Sequence, residues 1–274
     1  MKSICRNIAI LLISTVIGGL PSAVRANPST QLLNVNEIAQ TQMSAVDFYN
    51  RGVDKLDAGD FKGAIADFNE SIRLAPNDVE SYYNRGYARH ILGAYQDAIK
   101  DYTEALRINP DYANAYGNRA YSHYLLKNYQ EAIADSTEAI RLNPKDANVY
   151  INRGNARDDQ GDTKAAIEDY NEALRIDPKS ARAYYNRGIA YNRLSENQKA
   201  LEDYTQTLAL DGRFADAYYN RAITHIRLGN GKAAVADFQK AIDIYKARGK
   251  SEIANMLLTP LQALQTEIQM DEQP

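Results

Sequence analysis

The chain has 274 residues, a formal net charge of −3 at pH 7 and an isoelectric point near 5.7. A mildly acidic chain lacks the basic surface that releases counterions from phosphates, so we expect no nucleic acid among its partners. Hydrophobic residues make up 45% of the chain, enough for a sizeable core, and the aromatic residues are 20 Tyr and 5 Phe with no Trp. The single cysteine, Cys5, cannot form an internal disulfide.

The first 26 residues have the pattern of a secretory signal peptide. Lys2 and Arg6 form a positive head, and residues 8–20 are almost wholly apolar. This apolar run is shorter than the roughly 20 residues that a membrane-spanning helix needs. Small or compact residues occupy the −3 and −1 positions of a cut after Ala26. We therefore expect export to the periplasm or out of the cell; the alternative is an uncut segment that anchors the protein in a membrane.

A repeat of 34 residues governs most of the remaining chain. The triplet Asn-Arg-Gly/Ala recurs six times at this spacing, with its asparagines at Asn50, Asn84, Asn118, Asn152, Asn186 and Asn220. Six aligned rows, each 34 residues long and the first starting at Ala45, have an aromatic residue at column 4, Ala at column 20 and Asp at column 23 in every row. Apolar residues recur at helical spacing in two segments of each row. One row cannot bury its apolar face alone, so the rows are expected to stack.

This pattern resembles the tetratricopeptide repeat, a helix-turn-helix unit of 34 residues. The match rests on aromatic residues at columns 4 and 24, small residues at columns 8, 20 and 27, and proline at column 32. Column 7 departs from the family, because it is Arg here and usually Leu there. The resemblance implies an all-α fold, a right-handed α-solenoid of six repeats. The repeats would occupy residues 45–78, 79–112, 113–146, 147–180, 181–214 and 215–248, after a polar linker at 27–44.

Residues 249–274 are predicted to form a C-terminal capping helix and tail. Apolar residues from Ile253 to Ile268 recur at helical spacing, and Pro260 is expected to start or kink a helix there. Row six lacks the proline of column 32, which indicates that its second helix continues past Tyr245. The capping helix would cover the last repeat.

Two charged columns recur in all six rows, one on each predicted helix. Column 7 holds Arg51, Arg85, Arg119, Arg153, Arg187 and Arg221, and column 23 holds Asp67, Asp101, Asp135, Asp169, Asp203 and Asp237. We interpret them as a structural clasp in which each Arg pairs with the carboxylate of its own repeat. The alternative is that the Arg column forms a basic strip for an acidic ligand.

The resemblance implies that the first helices line a concave groove. The column 6 asparagines listed above would face it, and amides can bond an extended peptide backbone without requiring a particular side chain. They could equally tie neighbouring repeats together. Columns 5 and 9 add tyrosines that would make the groove amphipathic, although packing between first helices could claim half of these positions. These tyrosines are Tyr49, Tyr83, Tyr87, Tyr121, Tyr185 and Tyr219.

Nothing in the sequence indicates catalysis or metal binding. His90, His123 and His225 lie in three different rows, and no Ser or Cys has a nearby His to activate it. We expect no enzyme activity, metal, cofactor or small-molecule substrate. The sequence predicts a scaffold that binds a partner protein or extended peptide in its groove, and it leaves the oligomeric state open. The alternative function is an architectural subunit or assembly factor of a membrane-associated complex, acting through its convex face and ends.

Overall fold

The structure is a computed structural model that describes residues 43–271, and the predicted signal peptide and most of the linker lie outside this range. Within it the chain forms thirteen helices, α1 to α13, and no strand, which confirms the all-α prediction. The first helices of the repeats are α1 Ala45–Asp57, α3 Val79–Ile91, α5 Ala113–Leu125, α7 Ala147–Gln160, α9 Ala181–Arg193 and α11 Ala215–Arg227. The second helices are α2 Phe61–Leu74, α4 Tyr95–Ile108, α6 Tyr129–Leu142, α8 Thr163–Ile176, α10 Asn197–Leu210 and α12 Gly231–Ala247, and α13 is Ser251–Asp271.

The chain divides into two compact units, residues 1–144 and 145–274. In the described part of the first unit, three antiparallel helix pairs follow one another, and α2 packs on α3 as α4 packs on α5. The second unit repeats this arrangement with α7 to α12 and adds α13 against α12. The first helices of successive pairs also touch within each unit. Within each unit, successive pairs therefore bury their apolar faces against one another, as a stacked repeat requires.

Column 15 sets the turn between the two helices of each repeat. The residue there has a positive φ in every repeat, and in four repeats it is a glycine, for which this conformation carries no steric penalty. Lys127 and Ser195 take the same conformation with φ of 63° and 62°. The turn geometry is thus kept even where a side chain makes it unfavourable.

A close approach between column 8 and column 24 holds the two helices of a repeat together. A Cβ placed on Gly154 would lie 2.6 Å from Cε1 of Tyr170, so only glycine fits under this ring without movement. The third repeat has Ala120 at column 8, and there the aromatic residue of column 24 is replaced by Ser136. Both of these residues are buried. In this repeat the smaller partner leaves room for the extra methyl group. The sixth repeat differs, because it has both Ala222 at column 8 and Phe238 at column 24, and both are fully buried.

The last helix, α13, covers the end of the second unit. Ala254, Leu257, Leu261 and Leu264 are buried, whereas most of its other side chains are exposed. Pro260 lies inside α13 and does not start it. The preceding helix, α12, extends to Ala247, two residues beyond Tyr245, as expected from the missing proline. None of the described helices is both long and apolar enough to span a bilayer.

Candidate partner-binding surface

The structure brings the predicted Arg and Asp columns together in every repeat. The Nη2 atom of each column 7 Arg donates to Oδ1 of the Asp sixteen residues later at 2.5–2.8 Å. The Nε atom donates to the same carboxylate in each repeat. The Asp residues are only 2–8% exposed. Each pair therefore joins the two helices of its own repeat. The arginine side chains of repeats two to six are only 13–20% exposed, whereas Arg51 in the first repeat is 45% exposed.

Each of these arginines also contacts an aromatic ring, and four of them contact the preceding repeat. Each guanidinium lies over the aromatic ring of column 4 at 5.1–5.7 Å from the ring centre. In repeats two, three, five and six, Nη1 also donates to column 25 of the preceding repeat, with acceptors Asn69, Thr103, Asn171 and Thr205 at 2.6–3.3 Å. The Arg column therefore also links successive repeats. The sequence pattern did not reveal this second role.

Several of the buried carboxylates have a second cation from column 11. Lys55 Nζ lies 2.7 Å from Oδ2 of Asp67, and Arg89 and Arg157 make equivalent pairs in their repeats. Hydrogen bonding to Arg51 holds the pKa of Asp67 below its usual value. Burial instead raises the pKa of Asp169, although Arg153 opposes this shift. These carboxylates are engaged in ion pairs that stabilise the fold.

The asparagines of column 6 tie neighbouring repeats in both units. Nδ2 of Asn84, Asn118 and Asn220 donates to the hydroxyl of the column 5 tyrosine in the preceding repeat at 2.9–3.1 Å, with acceptors Tyr49, Tyr83 and Tyr185. Asn186 donates to Asn155 Oδ1 at 2.8 Å instead. All six asparagines remain partly exposed. The structure thus shows the tie and still leaves part of each amide near the surface.

Two of the six asparagines lie in the first repeat of their unit. The Oδ1 atoms of Asn50 and Asn152 are buried and have no hydrogen-bond partner among residues 43–271. The Oδ1 atoms of these two amides can therefore still accept hydrogen bonds that the described residues do not supply.

The column 5 and column 9 tyrosines are not equally accessible. Tyr49 and Tyr83 are 7% and 6% exposed and belong to the core of the first unit, where burial raises the pKa of both phenols to about 12. The remaining four, which are Tyr87, Tyr121, Tyr185 and Tyr219, are partly exposed. Tyr49, Tyr83 and Tyr185 therefore accept the hydrogen bonds that join repeats, and Tyr87, Tyr121 and Tyr219 contribute more to the surface.

A line of five partly exposed rings, which we call the aromatic strip, crosses repeats two and three. It consists of Tyr95, His90, Tyr121, Tyr124 and Tyr129, with successive ring-centre separations of 5.3, 5.3, 6.3 and 6.0 Å. The sequence interpretation included only Tyr121 of these residues. The signal was present, because aromatic residues fill columns 9, 12 and 17 in neighbouring rows.

His90 is neutral and has a defined tautomer within the aromatic strip. Its Nδ1 lies 2.8 Å from Oγ of Ser122, and that hydroxyl donates its proton to the Asn118 carbonyl oxygen. With the hydroxyl donating to that carbonyl, the neutral ring that fits carries its proton on Nδ1 and leaves Nε2 as an acceptor. Burial lowers the pKa of His90 to about 4. The strip as a whole is uncharged at neutral pH.

The first helices of the second unit are more polar. Asn155 accepts from the Tyr170 hydroxyl at 2.9 Å, in addition to its bond from Asn186. Asn192 donates to the Tyr204 hydroxyl and to Thr224. A buried carboxylate, Asp158, pairs with Arg193 at 2.6 Å. The two units therefore present different chemistry on the same face of their repeats.

Within the described residues, no group of three or more His, Cys, Asp or Glu side chains could hold a metal ion. A shallow cavity of about 350 Å³ lies between α12 and α13, lined by Lys232, Val235, Gln265, Ile268 and Gln269. Its lining contains no histidine or carboxylate that could act as a general base. The repeated first-helix face is the better candidate for function.

Family models match most of the chain. Models described as "Tetratricopeptide repeat" match residues 49–113, 92–147, 181–214 and 215–248, and one described as "TPR repeat" matches residues 154–195. This chain is a tetratricopeptide repeat protein. No curated protein matches it.

Solved structures of tetratricopeptide repeat proteins are similar to this one. A crystal structure of MamA is 28% identical, with a TM-score of 0.56, and covers 60% of this chain and 96% of its own. YrrB, described as a TPR protein with an unusual peptide-binding site, is 21% identical with a TM-score of 0.55, over 69% of this chain and 97% of its own. The anaphase-promoting complex hetero-tetramer Cut9–Hcn1 is 21% identical with a TM-score of 0.66, over 80% of this chain and 42% of its own. At these identities YrrB and Cut9–Hcn1 bear on the fold alone.

Proposed function

We propose that this tetratricopeptide repeat protein is a non-catalytic scaffold that binds a partner polypeptide along the first-helix face of its repeats. Tetratricopeptide repeats support protein–protein interaction, and the neighbours with solved structures include a peptide-binding protein and a subunit of a complex. The further step, from interaction scaffold to binding on this particular face, rests on how the charged columns are used.

The observation that carries the proposal is the internal use of the Arg and Asp columns. All six arginines and all six aspartates pair with each other inside their repeats, so neither column offers a charged ladder to a ligand. The partly exposed side chains of the first helices include amides, hydroxyls and aromatic rings, although charged residues such as Asp54, Asp159 and Arg227 are also exposed. Such amphipathic groups are typical of surfaces that bind polypeptides.

The second-helix face supports binding less well. In repeats one to four it carries a Glu–Arg pair three residues apart, with an Nε–Oε2 distance of 2.8 Å in each case. These charges neutralise each other, and exposed pairs of this kind contribute little energy. This favours the first-helix face over an architectural role for the opposite face.

The compartment is part of the proposal and rests on the sequence of residues 1–26. An exported scaffold would meet partners in the periplasm or outside the cell. N-terminal sequencing of the purified protein tests this point, since export with cleavage predicts Asn27 as the first residue. A chain that still begins at Met1 would contradict cleavage.

A pull-down from the exported fraction tests the binding face. The triple substitution Asn118→Ala, Asn152→Ala and Asn186→Ala should reduce the recovered partner while the helical circular dichroism is retained. The control is Tyr83→Phe with Tyr185→Phe, which removes the hydroxyls that accept from Asn118 and Asn220 and keeps every asparagine. Because the control also removes one contact between repeats in each unit, loss of the partner only in the Asn variant would assign the amides to the ligand. Equal recovery with both variants would contradict the proposal.

A further inference from the structure

The first-helix face of the first unit contains a second unusual feature next to the aromatic strip. Lys127 lies in the turn between α5 and α6, and its N–H donates to the Tyr124 carbonyl oxygen at 2.8 Å. It has a φ of 63°, whereas four of the six repeats have glycine at this column. A left-handed conformation costs a residue with a side chain about 1 kcal/mol or more. A lysine at this position therefore lowers the stability of the turn relative to glycine, as Ser195 does at the equivalent turn.

Lys127 is exposed and is absent from the ion pairs formed among residues 43–271. In the sequence it lies between Tyr124 and Tyr129, which are the last two rings at one end of the aromatic strip. The strip is therefore an uncharged row of rings with an unpaired positive charge at one end. A ligand that matches both features would be apolar along most of its length and would carry one negative group.

The ring spacing matches the polyproline II helix. This helix rises 3.1 Å per residue, so alternate residues are about 6 Å apart, close to the separations of 5.3–6.3 Å along the strip. Its carbonyl oxygens have no internal hydrogen bonds, so they can accept from donors on a binding surface. Proline-rich segments in this conformation bind to aromatic-lined grooves in several unrelated domains.

An ordinary extended strand has a similar spacing but fits less well. Its backbone N–H and C=O groups need partners, and Asn84 and Asn118 already donate to Tyr49 and Tyr83. Proline has no N–H to satisfy. A proline-rich segment therefore needs fewer hydrogen-bond partners from this surface, where some of the amides are already bonded within the fold.

We propose that the aromatic strip and Lys127 form a subsite for a proline-rich segment in the polyproline II conformation, with an acidic residue at the end that meets Lys127. This inference rests on the proposed function, because it names the class of polypeptide that the first-helix face takes. The rings hold the prolines, and the lysine fixes the direction of the bound segment.

Fluorescence anisotropy with the full chain and three labelled peptides tests the subsite. The first peptide is proline-rich with one terminal Glu, the second has Gln in place of that Glu, and the third has Ala in place of every Pro. The first should bind most tightly, the second a few-fold more weakly, and the third about tenfold more weakly because it lacks both the rigid conformation and the ring contacts. Equal binding of the proline and alanine peptides would overturn the inference.

Substitutions in the protein separate the two parts of the subsite. Tyr124→Ser should weaken binding of the first peptide about tenfold, whereas Tyr191→Ser, a partly exposed tyrosine on α9 in the second unit, should leave it unchanged. Lys127→Gly should remove the preference for Glu over Gln, and Lys127→Arg should keep it. If the Tyr124→Ser protein keeps its helical circular dichroism and binds the first peptide as tightly as the unmodified protein, the inference is also wrong.

The outcomes distinguish this inference from the proposed function. If the captured partner is lost on Asn substitution while no proline-rich peptide binds, the subsite is wrong and the scaffold function stands. If neither the partner nor any peptide responds to changes on the first helices, both are wrong.

Discussion

Arg119 on α5 donates Nε and Nη2 to the two carboxylate oxygens of Asp135 on α6, each at 2.7 Å. The arginine is 19% and the aspartate 11% exposed at the side chain, so the pair is largely shielded from water. A buried ion pair of this kind contributes modestly while intact, but it is costly to break from one side, because the remaining charge stays buried.

Asp135→Ala should therefore destabilise the first unit by about 3–5 kcal/mol, measured by chemical denaturation. The control is Glu138→Ala, which breaks the exposed Glu138–Arg141 pair on the same helix and should cost less than about 1 kcal/mol. Replacing Arg119 and Asp135 together by Leu should be much milder than Asp135→Ala, because no unpaired charge remains. A double variant as unstable as the single one would contradict this explanation.

Gly154→Ala should destabilise the second unit by about 1–3 kcal/mol, because the added methyl group would meet the Tyr170 ring at 2.6 Å. The sign of the change in stability is informative, because Ala in an unobstructed helix would be more stable than Gly by about 1 kcal/mol. In a Tyr170→Ser background, which imitates the third repeat, the same substitution should become neutral or stabilising. A cost that persists in that background would mean that the ring is not the obstacle.

Lys127→Gly and Ser195→Gly should each stabilise the protein by about 0.5–1 kcal/mol, because glycine takes the positive φ without strain. The reverse change at an equivalent turn, Gly229→Ala, should destabilise by a similar amount. Thermal denaturation followed by circular dichroism measures all three. Loss of stability in both glycine variants would show that the side chains of Lys127 and Ser195 contribute to the fold.

Protonation of His90 should weaken the first unit in acid. Its pKa is about 4 in the folded chain and near 6.5 in the unfolded chain, so the unfolded state binds the proton more readily between these values. The stabilising effect of neutral His90 is present above pH 6.5 and is lost as the pH falls toward 4, by ~3 kcal/mol in total. His90→Gln should show a shallower loss over this interval in denaturation at a series of pH values. Parallel curves for the two proteins would contradict the assignment.

The helix boundaries followed closely from the repeat pattern. The first helices begin at Ala45, Val79, Ala113, Ala147, Ala181 and Ala215, where the aligned rows begin. Helical spacing, turn residues and prolines act over a few residues, so they can be recognised in one row. The Arg–Asp pairing was also accessible, since both residues belong to one repeat and lie sixteen positions apart.

The candidate surface was only partly accessible from sequence. The column 6 asparagines were open to two interpretations, and the structure shows their bonds to Tyr49 and Tyr83, each 35 residues earlier in the chain. Whether an amide bonds a neighbouring repeat or stays available depends on how closely two helix pairs stack. That distance is a property of the packed unit and not of any single row.

By itself the sequence determined the period, the helix-turn-helix unit and the residues that join its two helices, because these depend on local spacing and on side-chain size within one repeat. Only the tertiary structure decided which tyrosines are buried, which amides are already bonded, and that His90 and four tyrosines form a continuous row of rings. Those relationships arise between repeats, where the contact between two side chains depends on how closely neighbouring helix pairs pack and not on the spacing within one repeat.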